Sequence, residues 1–186
     1  MSNPEIKLNP DLCRLFLFKN AFSSEECDQI LKKYAKPEGN TEINYDSNLV
    51  KLSGTYTIED NEESKWIFDR LLSYVQKVNK LYNFKLSAVG NPFILEYKKD
   101  DVLNWHIDLV GKPDYSIRKI TLILFLTNPD EYKGGEIHFD FFGDKAVNAA
   151  KGNLLAFPAF LFHKVNKIEE GVRKSLVTWV LGPPFS

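Results

Sequence analysis

Three histidines are the residues of this chain whose type and spacing could most directly support chemistry. Two of them begin His-x-Asp triplets, His106-x-Asp108 and His138-x-Asp140. On a β-strand, residues i and i+2 point to the same face, so His106 and Asp108 could bind one metal ion together. A third ligand must come from elsewhere in the fold, and His163 stands at the start of a later predicted strand.

Two histidines and one carboxylate on the same face of a metal form the facial triad of non-haem Fe(II) oxygenases. The opposite positions stay open, so that a cosubstrate and dioxygen can both reach the iron. A single His-x-Asp triplet is more often structural than metal-binding, so its context decides. His138 stands close to His163 in the sequence, which leaves little room for the core strands that separate the two halves of such a site. We therefore predict that His106, Asp108 and His163 are the metal ligands and that His138 is an ordinary strand residue.

Arg173 adds a second kind of chemistry, because it follows His163 at the start of the last predicted strand. An arginine that faces into a β core is costly unless it meets an anion. Its planar guanidinium matches a carboxylate with two parallel hydrogen bonds. Ser175 lies on the same strand face and can add a hydroxyl donor. A dicarboxylate cosubstrate needs such groups at its far end while its 2-oxo acid end chelates the iron.

In the order His106-x-Asp108, His163 and Arg173, the sequence resembles the 2-oxoglutarate- and Fe(II)-dependent oxygenases, specifically the prolyl 4-hydroxylase-like superfamily. Tyr97 stands where family members carry a tyrosine that lines the cosubstrate pocket. The resemblance is strong over residues 93–182. Further similar features are the turn Gly134-Gly135-Glu136, the strand and turn over residues 153–163, Trp179, and an opening helix over residues 22–27.

The resemblance implies both a fold and a mechanism. The fold is a double-stranded β-helix, also called a jelly roll. Fe(II) would bind at His106, Asp108 and His163, and 2-oxoglutarate would chelate the metal with its distal carboxylate on Arg173. Reaction with dioxygen would release succinate and CO₂ and leave a hydroxyl group on an unactivated C–H of the substrate, with the reactivity supplied by the metal and the cosubstrate.

The chain departs from some family members at one position of the cosubstrate pocket. Certain animal prolyl hydroxylases place a tyrosine hydroxyl against the far carboxylate, and the corresponding residue here is Phe125. Tyr97, Thr121 or Ser175 would have to complete that site, and the sequence does not choose among them. Trp179 matches a tryptophan that is common in the family, and we count it among the cosubstrate-binding residues.

The predicted activity is therefore that of a dioxygenase that hydroxylates a prolyl residue in a peptide or protein, with that substrate chosen by family analogy. A free amino acid or another small metabolite is an alternative substrate. A non-catalytic jelly-roll module that binds a sugar or a peptide is an alternative of a different class. The presence of Asp108 argues against a halogenase, Trp179 stands where nucleic-acid demethylases carry a second arginine, and zinc hydrolysis would not explain Arg173.

Composition supports this assignment and excludes several classes. The chain has 186 residues, of which 44% are hydrophobic and 26% charged, which is ordinary for a globular protein. Its formal charge of −1 argues against a nucleic-acid partner. The longest apolar run, residues 154–162, is far shorter than the roughly 20 residues of a membrane span. With Cys13 and Cys27 as its two cysteines and no secretory signal, we expect a cytoplasmic protein.

The predicted elements that must position these residues form one α+β, mainly β domain over residues 1–186. A helical part covers about residues 1–90, and a jelly-roll core covers about residues 91–186. Helices are predicted at residues 23–36, opened by a capping box at Ser23 and Glu26, and at residues 60–82. Strands are predicted at residues 14–18, 54–58, 93–97, 105–108, 119–126, 136–141, 153–157, 162–165 and 174–181. Residues 37–53 are predicted as loop, and residues 49–58 are a hypothetical flap over the site.

Overall fold

The computed structural model describes residues 9–36, 49–109, 113–140 and 146–184. These residues are mainly β, with two α-helices before the core strands. The part of the predicted loop that falls in residues 37–48 lies outside the described residues. Among the described helices, none is long and apolar enough to cross a membrane.

The first helix, α1, spans Ser24–Tyr34 and begins with the predicted capping box. The Ser23 hydroxyl accepts a hydrogen bond from the backbone N–H of Glu26 at 3.1 Å. In return the Glu26 carboxylate accepts from the backbone N–H of Ser23 at 2.7 Å. Two N–H groups that the helix leaves unpaired are thereby satisfied, which confirms this prediction.

The second helix, α2, spans Lys65–Tyr82 and begins later than the predicted residue 60. The side chain of Asn61 accepts from the backbone N–H groups of Glu63 and Ser64 at 3.0 and 3.2 Å. This local turn competes with the helix, so the predicted cap at Asp60 is wrong. The helix ends at Asn83, which adopts the left-handed conformation with φ of 58°.

Fourteen strands are described, and all their pairings are antiparallel. In chain order they are β1 (Phe16–Phe18), β2 (Val50–Lys51), β3 (Gly54–Thr57), β4 (Ala88–Val89), β5 (Phe93–Tyr97), β6 (Val102–His106), β7 (Arg118–Phe125), β8 (Tyr132–Gly134), β9 (Ile137–Phe139), β10 (Ala146–Val147), β11 (Leu154–Pro158), β12 (His163–Val165), β13 (Ile168–Gly171) and β14 (Arg173–Leu181). A 3₁₀ helix over Pro113–Ile117 precedes β7.

Two sheets contain most of these strands. The large sheet has the order β1-β11-β7-β14-β5-β3, with β4 added beside β14. The small sheet has the order β10-β9-β12-β6-β2, and β8 and β13 form a separate pair. Six of the seven predicted core strands are present with small shifts at their ends, whereas the one predicted at residues 105–108 overlaps the observed β6 by only two residues. The strands that sequence reasoning missed are two to four residues long, too short to show a period of alternation.

The large sheet separates two apolar clusters, because alternate residues of a strand face opposite sides. On β7, Leu122 and Leu124 face the helices and pack in one cluster with Ile30 and Leu71. The next residue, Ile123, faces the small sheet and belongs to the other cluster. The layers are therefore helices, large sheet and small sheet, and the second cluster fills the space between the two sheets.

The flap hypothesis is wrong for residues 54–57. These residues are strand β3, which pairs with β5 at the edge of the large sheet, and Gly54, Thr55 and Tyr56 are buried. Just before them, β2 pairs with β6 at the edge of the small sheet. The chain therefore passes from one sheet to the other at this point, and hydrogen bonds hold both strands in place.

Neighbouring leucines on α2 test the packing between helix and sheet. Leu71 is fully buried, whereas Leu72 is 43% exposed. We expect Leu71→Ala to lower the free energy of unfolding by about 2–5 kcal/mol, because it removes buried methyl groups and leaves a cavity. Leu72→Ala should change it by less than about 1 kcal/mol. Urea unfolding of both variants measures this, and equal losses would contradict the described orientation of α2.

Candidate functional site

His106, Asp108 and His163 come together between the two sheets. His106 is the last residue of β6 and His163 the first of β12, and the two lie directly opposite each other in the antiparallel pair. One ligand atom of each of the three residues lies within 4.8 Å of the others. The Nε2 atoms of His106 and His163 are 3.5 and 4.0 Å from the two carboxylate oxygens of Asp108. The spacing of these atoms suits a single metal ion.

A β-bulge in β6 aims His106 at this cluster. His163 pairs with His106, but Val165 pairs with Leu103, so β6 has one more residue than β12 between the two pairs. Asn104 and Trp105 are consequently both exposed, while Leu103 and His106 both line the interior.

The predicted strand through Asp108 is wrong, because β6 ends at His106. Asp108 lies in the following turn, where its backbone N–H donates to the carbonyl of Ala159 at 2.9 Å. The turn nevertheless brings Asp108 to the same side as His106. The predicted proximity is therefore present, but a turn produces it and not the alternation of side chains along a strand.

Backbone carbonyls orient both imidazole rings. The Nδ1 atom of His106 is 2.8 Å from the carbonyl oxygen of Asn104, and that of His163 is 2.8 Å from the carbonyl oxygen of Leu161. A carbonyl oxygen only accepts, so each Nδ1 carries a proton and each Nε2 presents its lone pair to the cluster. This second interaction of the ring is typical of histidines that bind metals.

Two of the three residues, Asp108 and His163, have the charge states that metal binding requires. Burial lowers the pKa of His163 to about 4, so this ring is neutral at pH 7. Burial alone would raise the pKa of Asp108, but the neighbouring rings of His106 and His163 and the hydroxyl of Thr121 hold it well below its usual range. For His106, burial would lower the pKa, but the hydrogen bond and charge of Asp108 outweigh this and raise it. The cluster therefore contains one carboxylate and one imidazole that is firmly neutral.

A cavity of about 300 Å³ opens from this cluster between the sheets. Its walls are mostly apolar, and the histidine, aspartate and arginine residues that line it are His106, Asp108, Arg118, His163 and Arg173.

Arg173 lies in this cavity as a buried cation without an anionic partner among the described residues. It is only 1% exposed, and its Nη1 donates to the Ser175 hydroxyl at 3.2 Å. Its Nε and Nη2 have no hydrogen-bond partner in the described part of the chain. The aromatic rings of Tyr97 and Phe125 lie 5.3 and 5.7 Å from the guanidinium carbon. Burying unpaired donors of a charged group is costly, so the site is suited to an anion that accepts from them.

Gly135 makes room for this arginine. A Cβ at residue 135 would come within 2.8 Å of the Arg173 Cδ and 2.5 Å of the Ile168 Cδ1, and φ is +72°. Only glycine meets both conditions without strain. Tyr132, on the preceding strand β8, also lies beside Arg173: burial raises the pKa of Tyr132, and the positive charge of Arg173 opposes the rise. Sequence reasoning identified the glycine turn but not this tyrosine.

A second arginine, Arg118, lines the other part of the cavity. Its guanidinium carbon lies 3.5 Å from the ring centroids of both Tyr115 and Trp179, so it is held between two aromatic rings. Its Nη1 donates to the backbone carbonyl of Asp108 at 3.2 Å. The buried Nε1 of Trp179 has no hydrogen-bond partner among the described residues. Sequence reasoning missed Arg118 and Tyr115, and the one available signal was a cation directly before a strongly apolar strand.

The remaining predicted residues fall in different places. Tyr97 and Ser175 line the cavity beside Arg173. Thr121 instead donates a hydrogen bond to Asp108 at 2.5 Å, at the metal-cluster end. His138 lies on β9 outside the cluster, with its Nε2 2.9 Å from the side-chain nitrogen of Asn166. It is a strand residue as predicted, and that it takes no part in metal binding stays a prediction.

Comparison with known proteins finds a family match over the core of the chain. Residues 92–181 match the family model of the 2OG-Fe(II) oxygenase superfamily, where 2OG is 2-oxoglutarate. These residues form a 2OG-Fe(II) oxygenase domain. The resemblance drawn from the sequence is thereby confirmed. The superfamily is a class of enzymes, and its description names both Fe(II) and 2-oxoglutarate.

Individual relatives of this oxygenase domain are hydroxylases. A PKHD-type hydroxylase of Pseudomonas putida is 34% identical over 94 residues, which cover 47% of this chain and 42% of that protein. A viral collagen prolyl hydroxylase from Paramecium bursaria Chlorella virus-1, solved with 2OG, has a TM-score of 0.71 at 16% identity and covers 91% of this chain and 96% of the viral one.

A prolyl hydroxylase of Trichoplax adhaerens, solved with a peptide fragment of the hypoxia inducible factor oxygen degradation domain, has a TM-score of 0.63 at 16% identity and covers 90% of this chain and 83% of its own. These two solved structures show the fold. The chain spans about half the length of curated relatives that it matches, such as those of Pseudomonas putida and Shewanella baltica.

Removal of individual histidines tests the metal cluster. We expect His106→Ala and His163→Ala each to weaken Co(II) binding by at least about tenfold, because each removes an Nε2 that faces the cluster. His138→Ala is the matched control and should bind Co(II) as the wild type does. Anaerobic titration followed by visible absorption measures the affinities. Loss of binding in His138→Ala with retention in His106→Ala would show that the other triplet holds the metal.

Proposed function

We propose that this chain is an Fe(II)- and 2-oxoglutarate-dependent dioxygenase that hydroxylates an unactivated C–H, with release of succinate and CO₂. We propose a prolyl residue in a peptide or protein as its substrate. One observation carries the proposal. A buried His-Asp-His cluster and a buried arginine without an anionic partner among the described residues face the same cavity.

The metal would be held by Nε2 of His106, Nε2 of His163 and the carboxylate of Asp108. When bound, Fe(II) together with 2-oxoglutarate and dioxygen supplies the oxidising chemistry. The protein's own residues keep both imidazoles in the ligand tautomer and keep Asp108 ionised. The apolar cavity wall excludes water from the reacting groups.

The far carboxylate of 2-oxoglutarate would bind to Arg173. Its Nε and Nη2 are the donors left without a partner among the described residues, and they match a carboxylate in charge and geometry. Of the three candidates for completing this site, Ser175 fits best. Its oxygen accepts from Arg173, so its own proton is available to the carboxylate. Tyr97 and Phe125 enclose the arginine with aromatic rings, and Tyr97 stays in the proposed cosubstrate site as a wall residue.

The charges of the cavity favour a peptidyl substrate over a free amino acid. Asp108 is the single acidic residue among the described residues that line the cavity, and it belongs to the metal cluster. The ammonium group of a free amino acid would therefore find no carboxylate partner on the described wall. Within a peptide the same nitrogen is part of a neutral amide and needs no carboxylate partner.

Tyr115, Arg118 and Trp179, which we call the Arg118 clamp, form a surface that suits a prolyl residue in such a peptide. Tyr115 and Trp179 add apolar aromatic surface for a pyrrolidine ring, and the buried Trp179 Nε1 can donate to a backbone carbonyl. The two solved neighbours described above are prolyl hydroxylases, one of them solved with a peptide fragment. These features support the prolyl assignment; hydroxylation of a small metabolite is the alternative.

We infer that the core is a double-stranded β-helix. From β5 to β14 the main chain alternates between the two sheets, with β5, β7, β11 and β14 in the large sheet and β6, β9 and β12 in the small one. This winding is typical of a jelly roll. Because the helices share one apolar cluster with the large sheet, we propose that they belong to the same domain. The expected location in the cytoplasm stays a prediction.

Anaerobic absorption spectroscopy with Fe(II) and 2-oxoglutarate tests the proposal. We expect the wild type to give a weak visible charge-transfer band, as the family assignment leads us to expect when the cosubstrate chelates iron. Arg173→Ala should weaken 2-oxoglutarate binding by at least about tenfold, because a charge-assisted bidentate contact contributes roughly 1.5–3 kcal/mol. Arg70→Ala is the control, since Arg70 pairs with Glu26 outside the cavity.

The outcomes separate the candidate functions. A wild type that binds Fe(II) but gives no band and no succinate would be a binding module or an enzyme with another metal. If the band is unchanged in Arg173→Ala, the proposed oxygenase activity stands, but the far carboxylate does not bind to Arg173.

A further inference from the structure

Thr121 makes a buried hydrogen bond to a proposed metal ligand. Its hydroxyl oxygen lies 2.5 Å from Oδ2 of Asp108. Both residues are buried, with exposures of 1% and 6%. An ionised carboxylate accepts hydrogen bonds but cannot donate them, so the hydroxyl proton points to Asp108.

This hydrogen bond distinguishes the two oxygens of the carboxylate. Oδ2 receives the Thr121 hydroxyl, whereas Oδ1 is the oxygen nearer to His106, at 3.5 Å from its Nε2. Rotation of the carboxylate about its Cβ–Cγ bond would break the contact. The Thr121 side chain cannot follow such a rotation freely, because χ1 of a β-branched residue on a strand is restricted.

The rest of residue 108 is already fixed by its backbone. The N–H of Asp108 donates to Ala159 at 2.9 Å, and its carbonyl accepts from Arg118 at 3.2 Å. Among the described residues, the Asp108 carboxylate contacts the two imidazoles and the Thr121 hydroxyl, and the hydroxyl holds one of its oxygens in place. It comes from β7, in the opposite sheet, so it also ties Asp108 to the large sheet.

Thr121 is too far along β7 to help bind the far carboxylate. It stands four residues before Phe125, the β7 residue beside Arg173, which corresponds to about 13 Å along a strand. Its one proton is already donated to Asp108.

We propose that Thr121 is a positioning residue that fixes the orientation of Asp108 for metal binding. The inference rests on the proposed function, because it takes Asp108 as a ligand. Thr121 itself does not touch the metal in this account. Its hydrogen bond fixes the orientation of the Asp108 carboxylate before metal binding.

Three variants test this role by metal affinity rather than by turnover. Thr121→Val keeps the shape and removes the hydroxyl, and it should raise the Co(II) dissociation constant by about tenfold or more. Thr121→Ser keeps the hydroxyl and should restore most of the affinity. Thr178→Val is the matched control, because Thr178 is a fully buried threonine on β14 whose hydroxyl donates to the carbonyl of Gly90. It should bind Co(II) as the wild type does.

Anaerobic Co(II) titration of each variant gives the dissociation constants, and thermal unfolding without metal shows whether each variant is folded. If Thr121→Val does not fold, Thr121→Ala replaces it in the same titration. An unchanged dissociation constant in the variant without the hydroxyl would overturn the proposal. So would an equal loss in Thr178→Val, or a failure of Thr121→Ser to restore binding. A wild type that binds no metal would instead overturn the proposed function itself.

Discussion

The antiparallel pairing of β6 with β12 is the interaction on which the rest of the site depends. It places His106 directly opposite His163, although they are far apart in the sequence. The bulge next to this pair turns the His106 ring inward, and the turn after β6 returns Asp108 to the same space. Without this register, the three side chains would not come together in one cluster.

The burial of charged groups in one cavity is the second constraint. Proteins seldom bury a charged group unless a partner stabilises it. Here the negative Asp108 and the positive Arg173 lie in one cavity but do not pair with each other. In our account a metal ion compensates the carboxylate, and a dicarboxylate bridges from that metal to the arginine. The space around the Arg173 side chain is formed by Gly135 and by the rings of Tyr97 and Phe125.

Local patterns in the sequence were sufficient to predict much of this arrangement. The capping box at Ser23, the core strands and the grouping of His106, Asp108 and His163 all follow from residue types and their spacing. The bulge in β6, the position of Asp108 in a turn and the hydrogen bond from Thr121 could not be predicted in the same way. Each depends on which residue of another strand lies opposite. The clamp around Arg118 likewise joins residues from a 3₁₀ helix and two strands, a proximity that only the folded chain creates.

The central claim is that one cavity holds both a metal at the His-Asp-His cluster and an anion at Arg173. Anomalous X-ray diffraction from crystals grown anaerobically with Fe(II) and 2-oxoglutarate tests it most directly. We expect an iron peak within coordination distance of His106 Nε2, His163 Nε2 and a carboxylate oxygen of Asp108. We also expect the far carboxylate of 2-oxoglutarate to contact Arg173 and Ser175. An iron peak at another place, or a far carboxylate bound away from Arg173, would contradict it.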